Sequence, residues 1–196
     1  MMSLPLALGT HLGNVPADIP YIGADADLAA QWRVRLGGPG FKIGICWRGA
    51  GLAGTDVGRS FPAAALAPVA ALPGVRLICL QKGEAALAQL GSLPAGMQVE
   101  TLGDFDQGPG AFVDTAAVMD CLDLVISSDT SVAHLAGAMG RPVWLATRHV
   151  PDWRWQLDRS DSPWYPTMRL FRQKAAGDWA SVFSEMADAV RGMPMP

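Results

Sequence analysis

The stretch LDLVISSDTSVAHLAGAMGRPVWLAT, residues 122–147, sets the tightest limit on what this chain can fold into. An apolar run, LDLVISS (122–128), leads into TSVAHLAGAMG (130–140), whose small and apolar residues carry a helical period. Gly140 closes that helix, and PVWLAT (142–147) starts a second apolar run. Two strands joined through one helix form a βαβ unit, in which the strands are parallel and the crossover is right-handed. Parallel strands are buried on both faces, which explains the unbroken apolar triplet Leu124-Val125-Ile126. With one such unit in place, the remaining segments have to extend the same sheet.

The rest of the chain repeats the pattern. FKIGICW (41–47), VRLICLQ (75–81), the shorter and more polar MQVETLG (97–103) and TMRLFRQ (167–173) read as further strands. Between and after them, SFPAAALAPVAAL (60–72), GEAALAQLG (83–91), FVDTAAVMDC (112–121) and DWASVFSEMADAVRGM (178–193) read as helices. Ser60 is the expected cap of the first and Asp178 of the last. The expected fold is α/β: a Rossmann-like doubly wound parallel sheet of about six strands. Residues 1–40 are expected to be an arm with Pro5, Pro16 and Pro20, followed by a helix over DADLAAQWRVRLGG (25–38) with Asp25 as its N-cap. Residues 41–196 are expected to form the domain proper.

Composition narrows the function classes. Hydrophobic residues make up 50% of the 196 and charged residues 17%, a globular balance that rules out a disordered chain. The net charge of −3 argues against a broad nucleic-acid footprint. No apolar run approaches the ~20 residues that span a bilayer. The start, MMSLPLALGTHLG, lacks the basic region and long apolar segment of a signal peptide. Cys46, Cys79 and Cys121 are widely spaced in apolar surroundings, with neither CxxC nor Cys/His ligand spacing. They point to buried thiols in a cytoplasmic setting and to no zinc site or disulfide framework.

In doubly wound sheets, ligands bind beyond the carboxyl ends of the strands. Several segments fall at that edge. The glycine-rich loop WRGAGLAGTDVGRS (47–60) is neither a Walker A nor a dinucleotide fingerprint; it reads as a plain loop or as one that closes over a phosphate with Arg59. Lys82, in LQKG, is a junction lysine suited to a phosphate or simply to solvent. Asp104 and Asp106, in LGDFDQGPGAF (102–112), read as turn residues. Asp129 and Thr130 stand at a helix start, where free N–H groups and the helix dipole suit an anion. Ser131 adds a hydroxyl, and His134 falls one turn further on. Capping explains the same residues, so both readings stand. VPDWRWQLDRSDSPWYP (150–166) holds Trp153, Trp155, Trp164 and Tyr165 among charges, as a stacking surface, a wedge or a partner face. Asp114, Asp120 and Asp123 are candidate bases on paper, and read as a cap, a helix end and a strand start.

The segment DTSVAHLAGAMGRPVW resembles the D-[ST]-[GS]-x-x-H-x-A-x-A-x-G-x-P motif of glycosyltransferase family 9, the heptosyltransferase-like enzymes. The longer series KIGICWRG, RSFPAAALAPVAALPGVRLICLQKG, LGDF, DTAAVMDCLDLVISSDTSVAHLAGAMGRPVWLA, VPDWRW and SPWYPTMRLFRQ is similar to the C-terminal domain of bacterial tetratricopeptide-repeat glycosyltransferases. The resemblance implies the donor-binding half of a GT-B enzyme, metal-independent and inverting. It implies that Asp129, Thr130, Ser131 and His134 hold the diphosphate of a nucleotide sugar, helped by Lys82, Arg59 and Ser60. Trp47, Asp104, Trp153 and Trp155 are candidates for base or sugar contacts. No cofactor is implied beyond the donor itself. A GT-B enzyme has two Rossmann-like halves, and this chain has room for one. The acceptor site and catalytic base are then expected in an N-terminal half or on another chain. The alternative is a non-catalytic interaction module derived from such an enzyme.

Overall fold

The computed structural model describes residues 4–49, 57–103, 105–108 and 110–194. Five parallel strands make the sheet: β1 (Phe41–Cys46), β2 (Val75–Cys79), β3 (Leu124–Ser127), β4 (Val143–Thr147) and β5 (Met168–Arg172). Their order is β2-β1-β3-β4-β5, and every pairing is parallel. The chain therefore winds outward in both directions from β1 and β3, which makes the gap between them the topological switch point.

Side chains alternate across the sheet. Ile43, Ile45, Leu77, Leu124, Ile126, Trp144 and Phe171 enter one core layer; Ile78, Val125, Val143, Leu145 and Leu170 enter the other. The first layer is covered by Phe61, Leu66 and Val69 and by the helix α4 (Trp179–Arg191), through Phe183, Met186 and Val190. The second is covered by α1 (Ala26–Leu36), α2 (Val113–Met119) and α3 (Ser131–Ala138). Each apolar stripe is buried against the sheet, so the two layers make a doubly wound sandwich. Gly44 on β1 permits this packing, because a Cβ there would meet Leu80 Cδ1 at 2.7 Å.

Local signals settle most helix ends. Asp25 accepts from Leu28 N at 2.8 Å and starts α1; Asp178 accepts from Ser181 N at 3.0 Å and starts α4. Four segments differ from expectation. Residues 97–103 do not form a sixth strand: Glu100 makes a single parallel bridge with Ile78, while Met97, Val99 and Leu102 pack on the two core layers without a continuing ladder. Segment 60–72 is a 3-10 turn (Ala63–Leu66) joined to a short helix (Ala67–Ala70) whose first turn holds Pro68, and no side chain caps the 3-10 turn. Segment 83–91 likewise breaks into Glu84–Leu87 and Ala88–Ser92. The arm holds a short helix, Leu4–Ala7, and its Tyr21 N–H donates to Ala138 O at 3.0 Å, tying it to the end of α3. Among the described residues, no helix is long and apolar enough to cross a membrane.

Candidate functional site

The carboxyl edge of the sheet carries two clefts, one on each side of the turn between β3 and α3. The first, about 370 Å³, opens at the switch point between the ends of β1, β2 and β3. Lys82, Thr130, Ser131 and Val132 line it, with Cys46, Leu80, Thr115 and Phe112. The second, about 340 Å³, is lined by Arg59, Asp129, Thr147, Arg148, Asp152 and Trp155. The turn thus sends neighbouring side chains in different directions: Asp129 to the second cleft, Thr130 and Ser131 to the first. Thr130 is extended, at φ −137° and ψ 169°, which produces the split.

No side chain caps α3. Ser127 Oγ donates to Ser128 O at 2.7 Å, and its single proton is then spent, so Thr130 Oγ1 donates to Ser127 Oγ at 3.0 Å. The threonine hydroxyl is turned toward the strand and away from its own helix. Ser131 and Val132, the first two residues of α3, line the first cleft, and the positive end of the helix dipole is strongest at that start. Across that cleft Lys82 is exposed, and its Nζ donates to Phe105 O at 3.3 Å and Asp106 O at 3.1 Å. These partners are neutral carbonyls, so among the described residues the cleft brings together a cation and a helix start.

Lys82 also fastens a loop that is over-determined by carboxylates. Asp106 accepts from the N–H groups of Asp114 at 2.8 Å and Thr115 at 3.2 Å, and from the Thr115 hydroxyl. Asp114 reaches back to Asp106 N at 2.8 Å and accepts from Trp32 Nε1 at 2.8 Å. The pair works as a capping box for α2 assembled from residues eight apart. Asp123 accepts from Lys42 N at 2.7 Å, and Asp120 pairs with Arg33 at 3.0 Å. All three aspartates considered as bases have structural partners.

His134 lines neither cleft and stands between α3 and the tryptophan loop. Its Nδ1 is 3.0 Å from Tyr165 Oη, its Nε2 is 3.8 Å from Asp129 Oδ1, and its ring stacks on Trp155 at 5.4 Å. Burial lowers its pKa below 6.5, with Asp129 opposing the shift, so the neutral ring is favoured. Gly137, one turn on, makes the arrangement possible: a Cβ there would meet Tyr165 Cγ at 2.5 Å. Trp155 is fully buried, and its loop is held by Arg172, which donates to the carbonyls of Trp155 at 3.1 Å, Gln156 at 2.6 Å and Leu157. Trp153 is half-exposed beside Trp164 and lines neither of these clefts. Trp47 is fully buried in the core; its backbone, not its ring, borders the edge. Ser60 is half-buried just before Phe61, whose N–H donates to Trp47 O at 3.1 Å. Asp104 and residues 50–56 of the glycine-rich loop lie outside the described residues.

One polar residue at this edge escaped the sequence reading. Gln81 is buried, and its Oε1 accepts from Trp47 N at 3.1 Å and Arg48 N at 2.9 Å. Its Nε2 donates to Arg48 O at 3.1 Å and Lys82 O at 2.8 Å. One amide therefore fastens the exits of β1 and β2 after their ladder has ended. The available signal was a glutamine closing an otherwise apolar strand, VRLICLQ. Cys46, on the cleft floor, has its thiol pushed up by burial, and Cys79 is pushed up to about 11, so both stay protonated.

Comparison with known proteins agrees with the geometry. Residues 64–144 match the model of glycosyltransferase family 9 (heptosyltransferase). Protein FlbA of Caulobacter vibrioides is 30% identical over 182 residues, spanning 87% of this chain and 29% of its own length. The E. coli ADP-heptose LPS heptosyltransferase II superposes with a TM-score of 0.61 at 13% identity, over 88% of this chain and 54% of that one. The E. coli heptosyltransferase WaaC with ADP gives 0.53 at 19% identity, over 88% and 49%. The chain spans about half the length of these structures and under a third of FlbA. The parallel sheet with helices on both faces and these structural neighbours show a Rossmann-like α/β fold of the kind found in GT-B glycosyltransferases, and the stretch 64–144 is similar to glycosyltransferase family 9.

Proposed function

We propose that this domain is the donor-binding half of a glycosyltransferase and seats the diphosphate of a nucleotide sugar at the Asp129–Ser131 turn. The start of α3, which Thr130 does not cap, carries the reading, because its first residues line a cleft at the switch point that Lys82 also lines. A diphosphate there gains charge-assisted hydrogen bonds from backbone donors and a point charge from the lysine. Stabilising a departing nucleotide diphosphate is also how such a site favours the transition state without a metal. His134, held by Tyr165, stands 3.8 Å from Asp129 of the turn, and Arg59 and Arg148 line the second cleft beside that aspartate. WaaC, a structural neighbour, is known with ADP.

Asp114, Asp120 and Asp123 are committed to structural partners, and the general base is assigned to an acceptor half supplied by an N-terminal domain or by another chain. Alone, the domain binds donor and transfers weakly or not at all, because acceptor positioning is missing. Calorimetric titration with ADP, UDP, GDP and their sugar conjugates tests this. Wild type is expected to bind in a diphosphate-dependent manner, with Lys82→Ala and His134→Ala each weaker. Absence of binding by a folded sample overturns the proposal.

A second reading has its own observation. Leu6, Leu8 and Leu12 of the arm are 85%, 75% and 60% exposed, and Leu12 lines a groove with the half-exposed Trp153. Apolar surface of that kind suits an interaction module docking a partner. A dimer or a complex with no nucleotide affinity favours it.

A further inference from the structure

His134 has an acceptor-only group at one ring nitrogen and an amphoteric one at the other. Its Nε2 is 3.8 Å from Asp129 Oδ1, and its Nδ1 is 3.0 Å from Tyr165 Oη. An ionised carboxylate only accepts, so the single proton of the neutral ring belongs on Nε2, and Nδ1 accepts from the Tyr165 hydroxyl. A phenol both donates and accepts, so the same hydroxyl serves an Nδ1 that carries a proton. The place of Tyr165 is built into the fold. Ser162 Oγ accepts from its N–H at 3.4 Å, and Gly137 leaves the space that its ring fills. Trp155 stacks on the imidazole at 5.4 Å, an aromatic face that suits a cation. Opposing influences meet at the ring: burial weighs most against its charge and Arg154 adds to that, while Asp129 and Asp152 favour it.

We propose that His134 takes up a proton when a diphosphate seats at the Asp129–Ser131 turn, and that Tyr165 is the positioning residue that permits it by turning from donor to acceptor. The proton comes from solvent and adds to Nδ1, while the Nε2 proton stays toward Asp129. No bond to the ligand forms. The cause is electrostatic, because a dianion at the turn adds negative charge beside the carboxylate already there and favours the imidazolium. A phenylalanine at 165 offers Nδ1 no acceptor, so the uptake would leave an N–H of the ring unpaired. The inference rests on the diphosphate reading above and gives that site a pH dependence.

The test uses ADP-glucose, UDP-glucose and GDP-mannose, whose doubly esterified diphosphates carry no group that titrates near neutral pH. Calorimetry near pH 6.5, in buffers of different ionisation enthalpy, counts the protons taken up on binding. Wild type is expected to take up part of one proton, Tyr165→Phe distinctly less and His134→Gln none. Wild-type affinity is expected to rise as pH falls, by up to about tenfold per pH unit between the bound and free pKa of the ring, and to level off below the free value. His134→Gln is expected to show no such rise. Thermal melts of all three establish that the fold survives. Wild type that binds without proton uptake overturns the proposal and leaves the diphosphate reading intact, as does uptake that persists in His134→Gln. Equal uptake by Tyr165→Phe and wild type overturns the role of Tyr165. Wild type that binds none of the three nucleotide sugars overturns both readings.

Discussion

Replacing Gly137 by alanine sets two well-measured effects against each other. Gly137 lies inside α3, where alanine is favoured over glycine by about 1 kcal/mol on helix propensity alone. Its Cβ, however, would stand 2.5, 2.7 and 2.9 Å from Cγ, Cδ1 and Cδ2 of Tyr165. Carbon atoms settle at ~3.5–4.0 Å, so the ring must retreat by about 1 Å at its root and not at a flexible tip. Overpacking of this kind costs about 1–3 kcal/mol. The retreat also withdraws Tyr165 Oη from His134 Nδ1, now 3.0 Å away, for about 1 kcal/mol more. Net destabilisation is therefore about 1–3 kcal/mol, read by urea denaturation at constant m-value. With Tyr165 truncated to alanine first, the same Gly137→Ala change is expected to stabilise by about 1 kcal/mol. A stabilised Gly137→Ala in the wild-type background would refute the close packing of α3 on Tyr165, and with it the account of how His134 is held.

Other residues give sharper single tests. Gln81→Leu removes the acceptor that the N–H groups of Trp47 and Arg48 share at a buried strand end, and should cost about 3 kcal/mol in denaturant melts. Asp106→Ala removes the cap of α2 and should cost about 1–2 kcal/mol, with Asp106→Asn recovering part of it. His134 titrates below 6.5 in the folded state because burial disfavours its charge. The unfolded chain therefore takes up this proton first as pH falls. Stability is unaffected by His134 well above pH 6.5 and declines as pH drops through 6.5 toward the lowered folded value. His134→Gln should remove that part of the pH slope in melts run from pH 8 to pH 5.

What the sequence made legible follows from how local each determinant is. The 122–147 unit was readable because strand, helix and strand are each specified by adjacent residues, as were the caps Asp25 and Asp178, which bond within their own first turn. The 97–103 segment was misjudged because its composition suits an edge strand, while only Glu100 finds a partner there. Asp106 caps a helix that begins seven residues later, across a loop whose path no spacing rule predicts. The candidate site was legible as a neighbourhood but not as geometry. Asp129 and Thr130 are adjacent in the chain yet serve different clefts, because of one extended residue. Trp47 looked available beside a glycine-rich loop, but the alternation of β1 sends its ring into the core.

The central claim is that a diphosphate seats on the free N–H groups at the start of α3. Amide chemical-shift mapping of the 15N-labelled chain during titration with ADP tests this at the atoms concerned. The account predicts the largest shifts at Ser131 and Val132, accompanied by Lys82 and Gly83 across the cleft. Shifts confined to the tryptophan loop or the N-terminal arm, with the α3 amides unmoved, would contradict it.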